Sequence, residues 1–395
     1  MSSIYILTNS PGEVSGWVKP VASALNKTNI NAHVILVTLP CTYASGMEKI
    51  YGKELIGIDR AFSFAEVLKT ATPDTKKNIV LQLGGDPMYG ALLSLRLRGK
   101  WLIYTSRPRW RFFVDHFFLP DCTALSRFVK KKISPTKYTL LGNLMFDSVP
   151  ECECDSEIRR KFSVEQKETV VSLLAGSRPF EYYEGFSYFI SVAKKILSET
   201  DISQVFLPIA PTVDEKILHE GLMHYGIKWK GDIAEEVLWD GPGRIRFIRD
   251  NVFEAIKISK LAVAFPGTNN LQVASLGVPL LVVAPLNYAE NIPLDGLPGL
   301  IPLSVPGAKK IKKKLVMWYN SRVKFVSLPN RISGENIVPE HRYAMTPEMV
   351  ANLAIELLQC PQKLAEIQDK YKLLSFERGA AEKLVAFIVD FLENK

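Results

Sequence analysis

The chain has 395 residues, 47% hydrophobic and 23% charged, with 49 Lys and Arg against 41 Asp and Glu, a net charge of +8. This length exceeds one simple core and sets two domains as the expectation, while the composition excludes a disordered chain. No apolar run reaches the roughly 18–20 residues of a membrane span, and the start MSSIYILTNSPGE lacks the basic stretch and apolar core of a signal peptide.

In chain order, apolar runs at 4–7, 33–37, 79–83, 101–104, 114–118 and 138–141 read as buried strands. Between them, 17–26, 64–70, 88–97 and 125–132 carry helical spacing, the alternation of a doubly wound parallel sheet. After the first strand comes GEVSG (12–16), where Gly12 and Gly16 offer room for close backbone approach and Glu13 and Ser15 add polar reach. It is neither a dinucleotide fingerprint nor a nucleophile elbow. LGGDPMYG (83–90) follows another strand, and Asp86 falls where that strand's carboxyl end meets the ligand crevice of such folds. Asp86 reads either as a proton acceptor or as a helix N-cap before Pro87.

The polar stretch DSVPECECDSE (147–157) reads as a linker, after which the pattern restarts. Strands are expected at 169–174, 205–208, 244–247, 261–265 and 280–283, and helices at 181–197, 215–225 and 253–258. LLAGSRPFE (173–181) opens this half: Gly176 and Ser177 offer donors, and Arg178 a guanidinium suited to phosphate. PGTNN (266–270) stands later, between a buried strand and a helix. Its start leaves backbone N–H groups that favour an anion. Two such turns at one sheet end make a diphosphate clamp a coherent reading.

Five cysteines, few and odd in number, suit reduced thiols in a cytosolic protein, and the Cys152/Cys154 pair has no partner pair at zinc spacing. His219 and His224 are five apart, so on a helix they diverge by roughly 140° and do not form a zinc site. KKIKKK (309–314), preceded by the apolar, Pro- and Gly-rich 297–307 and followed by LVMWYN, suits an anionic bilayer surface or a solvated helix face equally. Nucleic acid is not expected, because no recognition motif accompanies the charge.

Taken together, these segments resemble the lipid-A-disaccharide synthases, glycosyltransferases of the GT-B fold. GEVSG is similar to that family's Gly-Glu-x-Ser-Gly turn, LGGDPMYG to its Gly-x-Asp segment, and LLGNLMFDSVP (140–150) to the end of its first domain. LLAGSRPFE resembles Leu-Leu-Pro-Gly-Ser-Arg-x-x-Glu with Ala175 in place of proline. PGTNNLQVASLGVPLLVV resembles the Ser-Gly-Thr-x-x-Leu-Glu turn and its following strand. In VSLPNRISGENIVPE (326–340), Ser327, Leu328, Pro329, Asn330, Gly334, Val338 and Glu340 fall on the family's spacing.

The resemblance implies two Rossmann-like α/β domains of doubly wound parallel sheet facing a cleft. A first domain over 1–150 would take the acceptor and a second over 151–345 the nucleotide sugar, with helices over 346–395 crossing back between them. It implies an inverting, metal-independent transfer of an acylated amino sugar from a UDP-sugar to a lipid-linked or phosphorylated sugar, with no cofactor beyond the donor. It places the chain in the cytoplasm, peripheral on the inner face of the membrane, and admits a homodimer. Carried over by position, Glu13, Ser15 and Asp86 are catalytic, Asp86 as the base with Glu13 in reserve. Gly176, Ser177, Arg178, Gly267, Thr268, Asn269, Gln272, Asn330 and Glu340 bind the nucleotide sugar.

Departures stand at Trp17 (Asp in the family), Gln272 (Glu), Met88–Tyr89 (Asp-Phe) and YTSRPRWR (104–111), which adds Arg107, Arg109 and Arg111. These keep the transferase scaffold and leave acceptor and acyl chain open. Competing readings are a nucleotide-sugar epimerase of the same fold and a catalytically idle nucleotide- or lipid-binding protein.

Overall fold

Buried apolar runs dictate the architecture. The computed structural model describes residues 2–28, 30–41, 44, 46–70, 78–287 and 308–393. The apolar stretch 297–307 lies outside the described residues. The chain divides into two units, Met1–Val149 with Phe376–Lys395, and Pro150–Ser375.

The first unit holds seven parallel strands: β1 Ser2–Thr8, β2 Ala32–Thr38, β3 Arg60–Ser63, β4 Asn78–Gln82, β5 Lys100–Tyr104, β6 His116–Leu119 and β7 Tyr138–Leu140. Their order in the sheet is β3-β2-β1-β4-β5-β6-β7. β4 and β6 are buried at every position, as strands covered on both faces must be. Side chains alternate between two cores with the strand period of two. Ile4, Ile6, Leu81 and Phe118 join one cluster, while Leu7, Val37, Val80 and Phe117 join the other.

The second unit holds β8 Val170–Leu174, β9 Gln204–Pro208, β10 Lys228–Lys230, β11 Glu236–Leu238, β12 Arg244–Ile248, β13 Leu261–Ala264, β14 Leu280–Val283 and β15 Glu340–His341. Their order is β10-β11-β12-β9-β8-β13-β14-β15. Pairing is parallel except for the β10–β11–β12 edge. Features that escaped the sequence reading include the helix Glu48–Glu54 with β3, the helix Asp155–Lys161 that begins inside the stretch read as a linker, the antiparallel β10–β11 pair, and two-residue β15. All are short, and none carries an apolar period long enough to read.

Of the closing helices, Pro347–Leu358 and Pro361–Lys370 fall within the second unit, while Ala380–Glu393 returns to the first. There Leu384, Val385 and Ile388 complete the cluster that contains Ile4 and Ile6. Asp147 secures the return: its carboxylate accepts the Gly379 and Ala381 N–H groups, each at 2.7 Å. Among the described residues no helix is long and apolar enough to cross a membrane.

Leu384→Ala is expected to cost about 2–5 kcal/mol. Hydrogen exchange should show the loss in the β1–β7 sheet while amides of the second sheet keep their protection.

Candidate functional site

In each sheet the strand order reverses direction at one place, and the turns leaving the two strands there form the crevice where open α/β sheets bind ligands. In the first domain these strands are β1 and β4. The turn after β1 runs into a three-residue helix, Pro11–Glu13, and then a π-helical turn, Val14–Val18. Wide turns of this kind occur frequently at functional sites.

Glu13 folds back over the turn that carries it. Its Oε2 accepts the Asn9 N–H at 3.1 Å and lies 3.4 Å from Thr8 Oγ1, and Thr8 is fully buried. The same oxygen presses against the turn after β4, where a Cβ at Gly84 would overlap it. The residue as a whole is half-buried, but its carboxylate sits deep. Burial pushes its pKa up to about 7, with the Asn9 and Thr8 hydrogen bonds opposing the shift.

Asp86 ends the neighbouring turn. It is exposed and accepts the Met88 N–H at 2.9 Å as N-cap of the helix Pro87–Leu97. Gln82, nearly fully buried, staples this turn. Its Nε2 donates to the Gly84 carbonyl at 3.1 Å and the Asp86 carbonyl at 2.9 Å, while its Oε1 accepts Trp101 Nε1–H at 3.2 Å. The sequence reading missed Gln82, since an amide at the end of an apolar strand carries no periodic signal. Ser15 donates to the Pro11 carbonyl at 3.0 Å and so spends its proton inside its own turn. Gly16 clears space for the Met145 side chain, which a Cβ there would strike, and not for a ligand.

In the second domain the reversal lies between β8 and β13. Gly176 takes a φ of +96° in the turn after β8, and the 21-residue helix Pro179–Glu199 follows. The N–H of Ser177, expected as a donor to a diphosphate, is already taken, and so is that of Arg178, whose guanidinium was the group expected there. Glu181 Oε2 accepts both, at 3.0 and 3.1 Å, and Glu181 Oε1 accepts Arg178 Nη1 at 3.0 Å. A Cβ at Gly176 would overlap this carboxylate, and burial raises the Glu181 pKa against the pull of Arg178. The expectation of open amides here is therefore corrected: a buried carboxylate caps them.

At PGTNN the Gly267 N–H is likewise taken, by Asn270 Oδ1 at 3.1 Å. Fully buried Asn270 also donates to the Phe265 carbonyl and to Asn269 Oδ1, each at 3.0 Å, and so shapes the turn. Sequence reasoning singled out Asn269, not this second asparagine. Thr268 precedes the helix Asn269–Ser275 and Gln272 lies within it, both half-buried.

Asn330 and Glu340 meet inside the same domain. Asn330 Oδ1 accepts the Ile337 and Val338 N–H groups at 2.7 and 2.9 Å, and its Nδ2 donates to Val338 O and Glu340 Oε2. Glu340 also receives the Val326 and Ser327 N–H groups and the Ser327 hydroxyl. These two side chains lock the loop between Val326 and Glu340, which leaves little capacity for a ligand.

Both units carry a switch-point turn at the carboxyl ends of a parallel sheet, and together they define a GT-B-type pair of Rossmann-like domains. Solved structures share this fold. One is a Listeria monocytogenes protein described as a UDP-N-acetylglucosamine 2-epimerase (TM-score 0.59, 14% identity, covering 100% of this chain and 97% of that one). Another is the Neisseria meningitidis UDP-GlcNAc 2-epimerase bound to UDP-GlcNAc (0.53, 13%, 98% and 99%).

In sequence, the chain is similar to lipid-A-disaccharide synthases. It is 26% identical over 260 residues to that of Syntrophus aciditrophicus, covering 65% of this chain and 58% of the relative, and 21% identical over 233 residues to that of Rickettsia typhi, covering 58% and 51%. The family resemblance is thus present in sequence comparison over 58–65% of this chain, and the chain spans a little over half the length of these relatives. No family model matches it.

A folded-state pKa near 7 lies above the unfolded value of Glu, so Glu13 favours the fold fully only below about pH 4.5, and that contribution is lost as pH rises through 7. Wild type should therefore lose no more than about 3 kcal/mol relative to Glu13→Gln between those pH values. Chemical denaturation across that range measures it; parallel stabilities would place the Glu13 titration elsewhere.

Proposed function

We propose that the chain is a divergent relative of the lipid-A-disaccharide synthases and an inverting glycosyltransferase. It would move an amino sugar from a UDP-sugar to a lipid-linked or phosphorylated sugar acceptor at a membrane surface. The observation that carries this reading is Glu13: a deep carboxylate at the first domain's switch point whose pKa of about 7 suits proton removal at neutral pH. The ordered motif match and the similarity to the synthases support the substrate class.

In this reading Glu13 takes the acceptor hydroxyl's proton, the role first given to Asp86. Asp86 is exposed and holds the start of the 87–97 helix, which leaves it a positioning part. Gln82 and Gly84 fix the surface on which the acceptor is received. In the second domain Arg178, pre-oriented by Glu181, and the helix start at Thr268 and Asn269 stabilise the charge on the departing diphosphate. Gly176 and Ser177 shape that turn, Gln272 faces the nucleotide from the next helix, and Asn330 with Glu340 hold the loop behind it.

Mass spectrometry after incubation with UDP-sugars and phosphorylated sugar acceptors tests the proposal. Free UDP with a disaccharide product is expected; a new sugar isomer without acceptor product would assign epimerisation instead, and binding without product an idle homologue. Glu13→Gln should lower turnover by about 10²–10⁴-fold. Arg178→Ala should lower it by about 10²-fold or more while costing about 1–3 kcal/mol, because Glu181 loses its guanidinium. Near-normal turnover in Arg178→Ala would remove Arg178 from the leaving-group site.

A further inference from the structure

One face of the first domain combines exposed apolar side chains with a concentration of positive charge that the proposed chemistry does not use. Residues 87–140 contain eleven Lys and Arg against two Asp, a surplus of nine, whereas the whole chain carries +8. The two acids are occupied: Asp115 pairs with Lys100 at 2.8 Å, and Asp121 caps the helix Cys122–Lys130.

The segments that bear this charge lie side by side. The helix Pro87–Leu97, the connection from β5 to β6 and the helix Cys122–Lys130 all bury side chains in one cluster, through Leu93, Val114 and Phe128. Their outward sides therefore share a face. Trp110 packs edge-on against Trp101, with ring centroids 6.3 Å apart, and Arg111 Nη1 donates to the Lys131 carbonyl at 3.3 Å, tying the connection to the neighbouring helix end.

On that face Met88, Leu92 and Leu95 are exposed at i, i+4 and i+7, one stripe of the helix. The connection from β5 to β6 adds Phe112, 80% exposed, and Phe113, 62% exposed, with the Arg111 guanidinium 4.8 Å over the Phe112 ring. Arg107 and Arg109 of the same connection and Lys130–Lys132 at the tied helix end are exposed as well.

We propose that this face docks on an anionic phospholipid bilayer, Phe112 and Phe113 entering the headgroup region while Arg107, Arg109 and Arg111 meet lipid phosphates. A second copy of the chain would bring the same positive surplus to the contact and be repelled. A nucleic acid would leave the Met88–Leu92–Leu95 stripe without apolar cover. This face would supply the contact for the membrane surface named in the proposed function and rests on that reading for this point alone; docking is measured without turnover, so its failure is distinguishable from a failure of transfer.

The test is sedimentation of the full chain with phosphatidylcholine vesicles containing phosphatidylglycerol, against pure phosphatidylcholine. Binding at least about ten-fold tighter to the anionic vesicles is expected, and both Phe112→Ser/Phe113→Ser and Arg107→Glu/Arg109→Glu should weaken it about ten-fold or more. All four side chains are exposed, so UDP-sugar binding should persist and certify the fold. Equal affinity for neutral vesicles, or no vesicle binding, overturns the proposal. So does retained binding by both variants with loss in Lys313→Glu/Lys314→Glu, which would move docking to the helix Ala308–Arg322. Self-association that Phe112→Ser/Phe113→Ser abolishes, without vesicle binding, assigns the face to a second copy and overturns it too.

Discussion

Where a parallel strand ends and its crossover helix begins, backbone N–H groups are left without strand or helix partners. Both domains meet this constraint in the same way, with a glutamate from the first turn of the helix bent back onto the strand's exit. Glu13 receives the Asn9 N–H, and Glu181 receives those of Ser177 and Arg178. In each case a glycine makes the room, Gly84 from the adjacent turn in one domain and Gly176 from the same turn in the other. The shape of both crevices follows from these two carboxylates.

Their chemistry diverges because their surroundings do. Glu181 has a guanidinium at 3.0 Å to compensate its burial, and its oxygens are divided between that cation and two amides. It acts as structure. Glu13 has no ion-pair partner among the described residues, and the backbone N–H groups and long Thr8 hydroxyl contact at its carboxylate do not offset its burial, so its proton is held up to near neutrality. A group balanced between charged and neutral forms at pH 7 is suited to exchanging a proton with a substrate.

The sheets were legible because both of their faces are covered. Runs such as 79–83 and 280–283 are apolar at nearly every position, the pattern of strands covered on both faces. What stayed hidden was polar and cross-chain. β10 and β11 are three residues each and carry lysines and a glutamate. Gln82 and Asn270 act through backbone carbonyls and amides that only the folded turn brings within reach. Gly16 answers to Met145, far along the chain, so its purpose had no local signature. The motif order pointed to the turns correctly, yet it could not tell an amide that waits for a ligand from one already capped, as at Ser177. That distinction depends on where Glu181 folds.

The return of the Ala380–Glu393 helix has a consequence for biosynthesis. The contact that secures it joins residues 232 apart in the chain, and Leu384 and Ile388 seal a core that otherwise consists of residues made early. At about 5–20 residues per second, a ribosome takes roughly 12–50 s to make that intervening length. Throughout this interval the nascent first domain exposes an apolar seam. The order in which the chain is made thus leaves the first domain's core open until its last helix is available.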